Sequence, residues 1–483
     1  MNTLPLRLPA LIALVTAAAL GGCAIHTAPD TSIGLNRAMH ERAPLTVVAD
    51  ETLALSAQVD MQQDWWRLYQ HPSLDQVVGL ALDNNADLKQ AALNVNKALY
   101  QANILGANLV PDFNASLGVS QSRNLQTGTN TPRSYSSQLG LSYELDLWRR
   151  LNATASAQVW KQRATAEDMA ATRLTVINNT VDGYFHLAYL NRAIVLQEKA
   201  LANYQDILRI AESRHRHGKA AANEPVQARQ ALLTAQDQLD SLKETHAAAW
   251  STLQQILHLD PHHPSGINPH DFLLPDGQGA APNLDVPIAA LTHRPDLLAA
   301  EARLQAAAKS QLAQYRSWYP SITLNAALSH TSNRAATLFE VPMLGGSVGI
   351  SLPFLNWPTL RWQNRIAEAE FEQAKIGFEQ ALVTALHEVN NQYRQYRHSL
   401  QVQDNARATL RLAQENSRYY RARYQHGRNE LKDWLSALNS EYSAERSLLQ
   451  AQYATLQHQA MIYKAMGGRY VLSPKPAAAQ APQ

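Results

Sequence analysis

Cysteine is almost missing from this 483-residue chain: Cys23 is the only one. That excludes internal disulfides, cysteine zinc ribbons and cysteine-ligated iron–sulfur clusters. An excess of either charge is missing too. The 42 Lys and Arg against 40 Asp and Glu leave a formal +2, which rules out histone-like nucleic-acid binding. Beyond residue 22 no run approaches the ~18 consecutive apolar residues of a membrane-spanning helix. No GxGxxG, Walker A, GxSxG or HExxH pattern occurs. No enzyme, cofactor or metal site is therefore expected. His215 and His217 stand at i,i+2 and diverge on a helix, and His262-His263 lies among prolines, so neither pair reads as a metal site.

Proline and glycine are scarce in two long zones. No proline lies between Pro132 and Pro225, or between Pro358 and Pro474. Within 151–260 the glycines are Gly183 and Gly218, and within 359–466 they are Gly377 and Gly427. Proline costs about 3 kcal/mol inside a helix and glycine about 1, so these zones predict long helices at about 149–216, 224–259, 362–425 and 430–466. Apolar spacing of three and four supports them. Leu174, Ile177, Val181, Tyr184, Ala188 and Val195 form one such row, interrupted by Asn191, and Phe371, Phe378, Leu382, Ala385 and Val389 form another. The longest helices would reach about 100 Å at 1.5 Å per residue, which predicts an elongated architecture. Residues 261–287 hold six prolines and read as a linker, and 471–483 read as a disordered tail.

The chain repeats itself. Asn85-Ala86-Asp87-Leu88 matches Arg294-Pro295-Asp296-Leu297, Leu109–Asp112 matches Trp318–Ser321, and Arg216–Lys219 matches Gln425–Arg428, each pair 209 residues apart. Leu145–Trp148 matches Leu352–Leu355 at 207. Two repeats follow, 61–260 and 288–470, each reading helix, two strands, long helix, turn, helix.

Four segments alternate apolar and polar: about 112–121, 134–147, 321–330 and 346–355. Phe113, Ala115, Leu117 and Val119, for example, alternate with Asn114, Ser116, Gly118 and Ser120. A soluble sheet with one wet face has the same period. Here the polar face is Ser, Asn, Thr and Gly with few charges, and about ten tilted residues cross an outer membrane, so a membrane barrel is the expectation. Four strands cannot close one, and lipid tolerates no open edge. Several chains must share it. Strand arithmetic alone leaves two chains or three.

The amino terminus reads as a processing signal. Arg7 precedes the apolar run Leu8–Leu20, and Leu20-Gly21-Gly22-Cys23 resembles a bacterial lipobox. The expectation is a signal peptide over 1–22, lipidation at Cys23 and an N-terminal linker over 23–60. A diacylglycerol plus an acyl chain exceeds the two-anchor threshold for stable membrane attachment, and Ala24 after the cysteine resembles the sorting context of outer-membrane lipoproteins.

Five local motifs stand beside these features: Asp64-Trp65-Trp66-Arg67-Leu68-Tyr69, Leu80–Leu88, Arg294-Pro295-Asp296-Leu297, Trp318-Tyr319-Pro320-Ser321-Ile322 and Met466-Gly467-Gly468-Arg469-Tyr470. Together they resemble the TolC-like family of outer-membrane efflux proteins, specifically its lipoprotein branch typified by OprM. In the last motif Arg469 stands where the family usually has glycine. The resemblance implies a mainly α fold with a transmembrane β-barrel: a homotrimer with a twelve-stranded barrel, four strands per chain, and a long periplasmic α-helical coiled-coil tunnel. It implies the exit duct of a tripartite pump, working with a periplasmic adaptor and an inner-membrane RND, MFS or ABC transporter. It also implies no nucleic acid as a partner.

The resemblance further implies a gate where the hairpin turns at Gly218 and Gly427 meet the adaptor. Tyr424 and Asp433 match the family's aromatic-and-acid pattern, while Ser436 replaces a second acid. Glu224 is the first-repeat counterpart of Asp433 and His215 that of Tyr424, with Arg423 or Arg214 as expected ion-pair partners. Glu144 and Asp146 fall on the polar strand face and are expected to line the barrel lumen or to end the strand at its periplasmic rim. The function expected is passive export of small molecules. A duct for one-step (type I) protein secretion is the alternative. A structural coiled-coil lipoprotein spacing the envelope would need no barrel strands.

Overall fold

The structure is a computed structural model that describes residues 64–130, 132–260, 266–275, 288–339 and 343–468. The signal peptide, Cys23, the N-terminal linker, His262-His263, Arg469 and the terminal tail lie outside the described residues, as does most of the proline-rich linker.

The first repeat holds α1 (Pro72–Asn84), α2 (Ala86–Ala107), β1 (Asp112–Ser120), β2 (Ser134–Leu145), α3 (Arg150–Arg216) and α4 (Asn223–Ile256). The second holds α5 (Pro295–Arg316), β3 (Ser321–Ser332), β4 (Met343–Ser351), α6 (Trp357–Gln425) and α7 (Leu431–Ala465). Helix α3 runs for 67 residues and α6 for 69. No described helix is long and apolar enough to cross a membrane.

Prolines start helices here as well as breaking them. Pro72, Pro225, Pro295 and Pro358 all sit in first turns, where the missing N–H has no intrahelical partner to lose. For that reason α6 begins at Trp357, five residues before the expected 362. Strand β4 runs from Met343, earlier than the expected 346, and stops at Ser351. Pro353 cannot donate to a ladder and opens the 3-10 turn Pro353–Asn356 instead.

Two compact units emerge, and neither is a repeat. Among the described residues the first comprises 93–166 with 299–380, and the second comprises 64–92, 167–298 and 381–468. Each repeat thus contributes to both.

The first unit contains one antiparallel sheet in the order β1-β2-β3-β4. The central pair, β2 with β3, joins the two repeats. Register lines the alternating residues into rows: Ala115 pairs Leu139, Leu139 pairs Leu328, and Leu328 pairs Leu344. One face is therefore apolar across all four strands as far as this row, beyond which Ser137 pairs His330 on the same face. The other carries Ser116, Gln138 and Ser329 in one row. Among the described residues the outer edges of β1 and β4 have no strand partner.

The second unit holds the main aromatic core. In α1, Leu74, Val77, Val78 and Ala81 share one buried face, the spacing of an amphipathic helix. Burying each of the three larger ones is worth about 1.5–3 kcal/mol. Trp65 stacks on Tyr463 at 5.1 Å, Tyr69 meets Phe185 at 4.8 Å, and Tyr184 stacks on Phe272 at 4.3 Å. The Trp-Trp motif thus fixes the start of the described chain against α7.

Asn191 explains its own break in the apolar row. Its Nδ2 donates to the carbonyls of Pro269 (2.8 Å) and Phe272 (3.1 Å), docking the inter-repeat segment on α3. Val195, expected in the core, is exposed instead, because the row drifts off the buried face of a straight helix.

Candidate functional site

The hairpin tips lie within the second unit. Both long helices end in the same hydrogen-bonded turn. Gly218 N–H donates to His215 O (2.9 Å) and Lys219 N–H to Arg214 O (2.8 Å). In the second hairpin Gly427 N–H donates to Tyr424 O (3.0 Å) and Arg428 N–H to Arg423 O (2.8 Å). Gly218 and Gly427 have φ of 69° and 70°, the left-handed conformation that this Schellman arrangement needs.

Tyr424 sits at the centre. Its ring is buried against Trp434, centroids 5.3 Å apart. The Arg214 guanidinium lies over the same ring at 4.5 Å and donates to Tyr424 O at 3.2 Å. The Tyr424 hydroxyl donates to Glu224 Oε2 at 3.1 Å. At the tips two hydrogen bonds and one cation–π contact therefore tie the two hairpins together. Burial, reinforced by the Glu224 charge and offset by Arg214, pushes the Tyr424 phenol up to about 12.

The expected ion pairs take another form. Arg423 Nε donates to Asn429 Oδ1, and Asn429 Nδ2 donates to Asp433 Oδ2 at 2.9 Å. An amide relays between the two charges. Arg423 also reaches the Tyr419 hydroxyl at 2.7 Å. Glu224 meets a phenol rather than an arginine. Ser436 lines an open cleft of about 920 Å³ beside Gln230, Lys432 and Asn439. His215 is exposed, with Nδ1 3.3 Å from Ala220 O, and takes no part in the Tyr424 contact. The two tips thus lack matching roles despite their common origin.

The sequence reading missed Asn429, Trp434 and Tyr419, and named Arg214 without its stacking role. A signal existed for Trp434, a lone tryptophan beside Asp433. Nothing marked Asn429, because its value is positional.

In the first unit, Glu144 and Asp146 lie where β2 gives way to α3. Glu144 Oε1 accepts from Arg150 Nη2 at 2.7 Å. Asp146 lies past the strand, and its two oxygens accept from the amides of Leu151 (3.0 Å) and Asn152 (2.8 Å). Those are unsatisfied first-turn donors of α3, so Asp146 is a helix cap. Both carboxylates have structural partners at the junction, which favours the rim position over free lumen charges. Trp148 stacks on Tyr319 at 4.8 Å and donates to Pro320 O at 2.8 Å, bracing the same junction from the second repeat.

A buried clasp explains the Arg-Pro-Asp-Leu motif. Arg294 donates to both oxygens of Asp296 (3.0 and 2.8 Å), to Glu388 Oε2 (2.6 Å) and to Ala465 O (2.6 Å). Its first-repeat counterpart Asn85 donates to Ile256 O at 2.8 Å. Ile256 and Ala465 are again 209 residues apart. Each repeat therefore closes with its opening motif tied to the end of its last helix.

An open sheet with one apolar face, built jointly by two copies of a helix–strand–strand–helix–helix unit, defines a channel protein whose barrel is shared between chains. The chain belongs to the outer membrane efflux protein family, whose model matches residues 77–257 and again 286–468. It is 38% identical over 417 residues to the toxin and drug export protein A of Aggregatibacter actinomycetemcomitans, covering 86% of this chain and 91% of that protein. It is 27% identical over 474 residues to the probable outer membrane lipoprotein SilC of Salmonella typhimurium, covering 95% and 99%. The crystal structure of the Campylobacter jejuni CmeC outer membrane channel shares its fold with a TM-score of 0.79, over 88% of this chain and 92% of that one, at 24% identity. The protein is an outer-membrane efflux channel, of the kind that serves as the exit duct of tripartite pumps.

Proposed function

We propose that three copies close one twelve-stranded barrel and export small toxic molecules and drugs passively. The observation that carries this is the open four-stranded sheet. Strand β1 has nine residues, so its free edge carries about nine N–H and C=O groups. In lipid each unmet group costs several kcal/mol, a penalty on the order of tens of kcal/mol that only a neighbouring chain removes. Two chains would give eight strands, whose interior side chains fill. Three give twelve and a lumen.

A periplasmic adaptor and an inner-membrane RND, MFS or ABC transporter supply selection and energy. The acyl chains on Cys23 anchor each protomer, in keeping with the lipoprotein name of one relative. The Tyr424–Glu224 bond and the Arg214 stack hold each pair of hairpins closed until the adaptor engages them, and the Arg423–Asn429–Asp433 relay stiffens the second turn. Gly218 and Gly427 set the turns, and Ser436 adds no charge to the gate. Glu144 and Asp146 brace the barrel rim.

The name toxin and drug export supports a second cargo class, a secreted protein, for the same duct. A deletion strain tests both. Sensitivity to dyes, detergents or hydrophobic antibiotics, restored by the intact gene, establishes efflux. Unchanged susceptibility with proteins lost from the culture medium would favour secretion. A monomer in native detergent would sink both readings.

A further inference from the structure

We propose that the two hairpin tips form a basic docking surface for an acidic patch on the periplasmic protein that meets the duct. This rests on reading the tips as the pump-facing end. Arg216, Lys219, Arg421, Arg428 and Lys432 are exposed around the two turns. None of them has an ion-pair partner among the described residues. The neighbouring acids are already engaged: Glu212 with Arg229 at 3.1 Å, Glu224 with Tyr424, and Asp433 with Asn429. Only Glu430 is an exposed acid between the turns and these partners.

With Arg214, Arg229 and Arg423 included, eight cations face the four carboxylates Glu212, Glu224, Glu430 and Asp433, which leaves four uncompensated positive charges per chain. Removing these twelve residues from the count leaves 34 basic against 36 acidic residues, from 42 and 40. The positive excess of the whole chain is therefore concentrated at the tips. Helix dipoles do not account for it. Each tip joins the negative end of a long helix to the positive end of its return helix, and the two half-charges cancel. Lys219 and Arg428 occupy corresponding places in the two repeats, so both turns present a cation. The exposed imidazoles of His217 and His426 stand beside them. A concentrated unpaired field of one sign steers a partner of the opposite sign and loses strength with salt.

The probe for a direct test is fluorescent poly-L-glutamate, titrated onto the full-length channel in nanodiscs of neutral lipid. The expected result is saturable binding, weakened at least tenfold between 50 and 200 mM salt. The variant R216E/K219E/R428E should weaken it at least tenfold, and K97E/K199E/K243E, with the same charge change elsewhere, should not. Absent binding, equal loss in both variants, or preference for phosphatidylglycerol vesicles would overturn the proposal. In cells, the charge-reversed channel should assemble at wild-type abundance yet give at least fourfold lower resistance. R216K/R428K should behave as wild type. If the wild-type gene restores no resistance to the deletion strain, the duct reading falls. If wild type and charge-reversed channel restore it equally, the docking proposal falls alone.

Discussion

Replacing Tyr424 with Phe is the cleanest test of the tip contact. It deletes the hydroxyl that donates to Glu224 at 3.1 Å and keeps the ring that meets Trp434 and Arg214. A hydrogen bond to a charged group is worth about 1.5–3 kcal/mol when partly shielded from water. Glu224 is half-buried, so the lower end, about 1.5 kcal/mol, applies. If opening parts the two hairpins of each protomer, the bond exists only in the closed state. Three copies breaking together then shift the equilibrium by about 4.5 kcal/mol, roughly 10³-fold at 1.4 kcal/mol per tenfold. Open probability in planar bilayers measures this directly. Y424F should conduct in long openings where the wild type opens rarely. The reasoning is refuted if Y424F trimers form normally and gate like wild type. A large effect of Glu224→Gln with none for Y424F would place the constraint on the carboxylate alone.

Four further outcomes are expected. Tyr424 is held above its ordinary value, so its contribution is complete below pH 10 and is lost as pH rises from 10 through about 12; channel opening in that window should be steeper in wild type than in Y424F. His258 ends α4 with φ 52° where Gly467 ends α7, so His258→Gly should raise stability by about 1 kcal/mol, read as a higher midpoint in thermal unfolding. Gly427 and Gly468 have φ of 70° and 75°, but an added Cβ meets open space at Gly427 and lies 2.2 Å from Leu174 Cδ2 at Gly468; Gly468→Ala should therefore lower the unfolding midpoint clearly more than Gly427→Ala. Arg294→Met strands the Ala465 carbonyl and leaves Glu388 to water, and should cost about 1–3 kcal/mol, visible as reduced trimer yield and early proteolysis near residue 465.

Local chemistry made much of this protein legible from its residues. Helices showed because proline and glycine are expensive within them, and strands showed because a pleat alternates every second residue. The duplication showed because both copies kept their turn motifs 209 residues apart. Residues that depend on a distant partner were less legible. Asn191 looked like a flaw in an apolar row until the segment carrying Pro269 and Phe272 was seen docked on it. Asp146 looked like a strand residue until the amides of Leu151 and Asn152 were seen pointing at it.

The sequence by itself determined the repeat, the element order, the kind of membrane surface and the positions of the two turns, since each depends on spacing within a few tens of residues. Tertiary structure alone decided that β2 pairs with β3 across the repeats. It also decided that Arg294 reaches Ala465, and that Tyr424 chooses Glu224 while Asp433 is reached through Asn429. Such choices join groups far apart in the chain. Their geometry is fixed only when the helices that carry them have packed, because a hydrogen bond requires its atoms within about 3 Å and no local pattern encodes that approach.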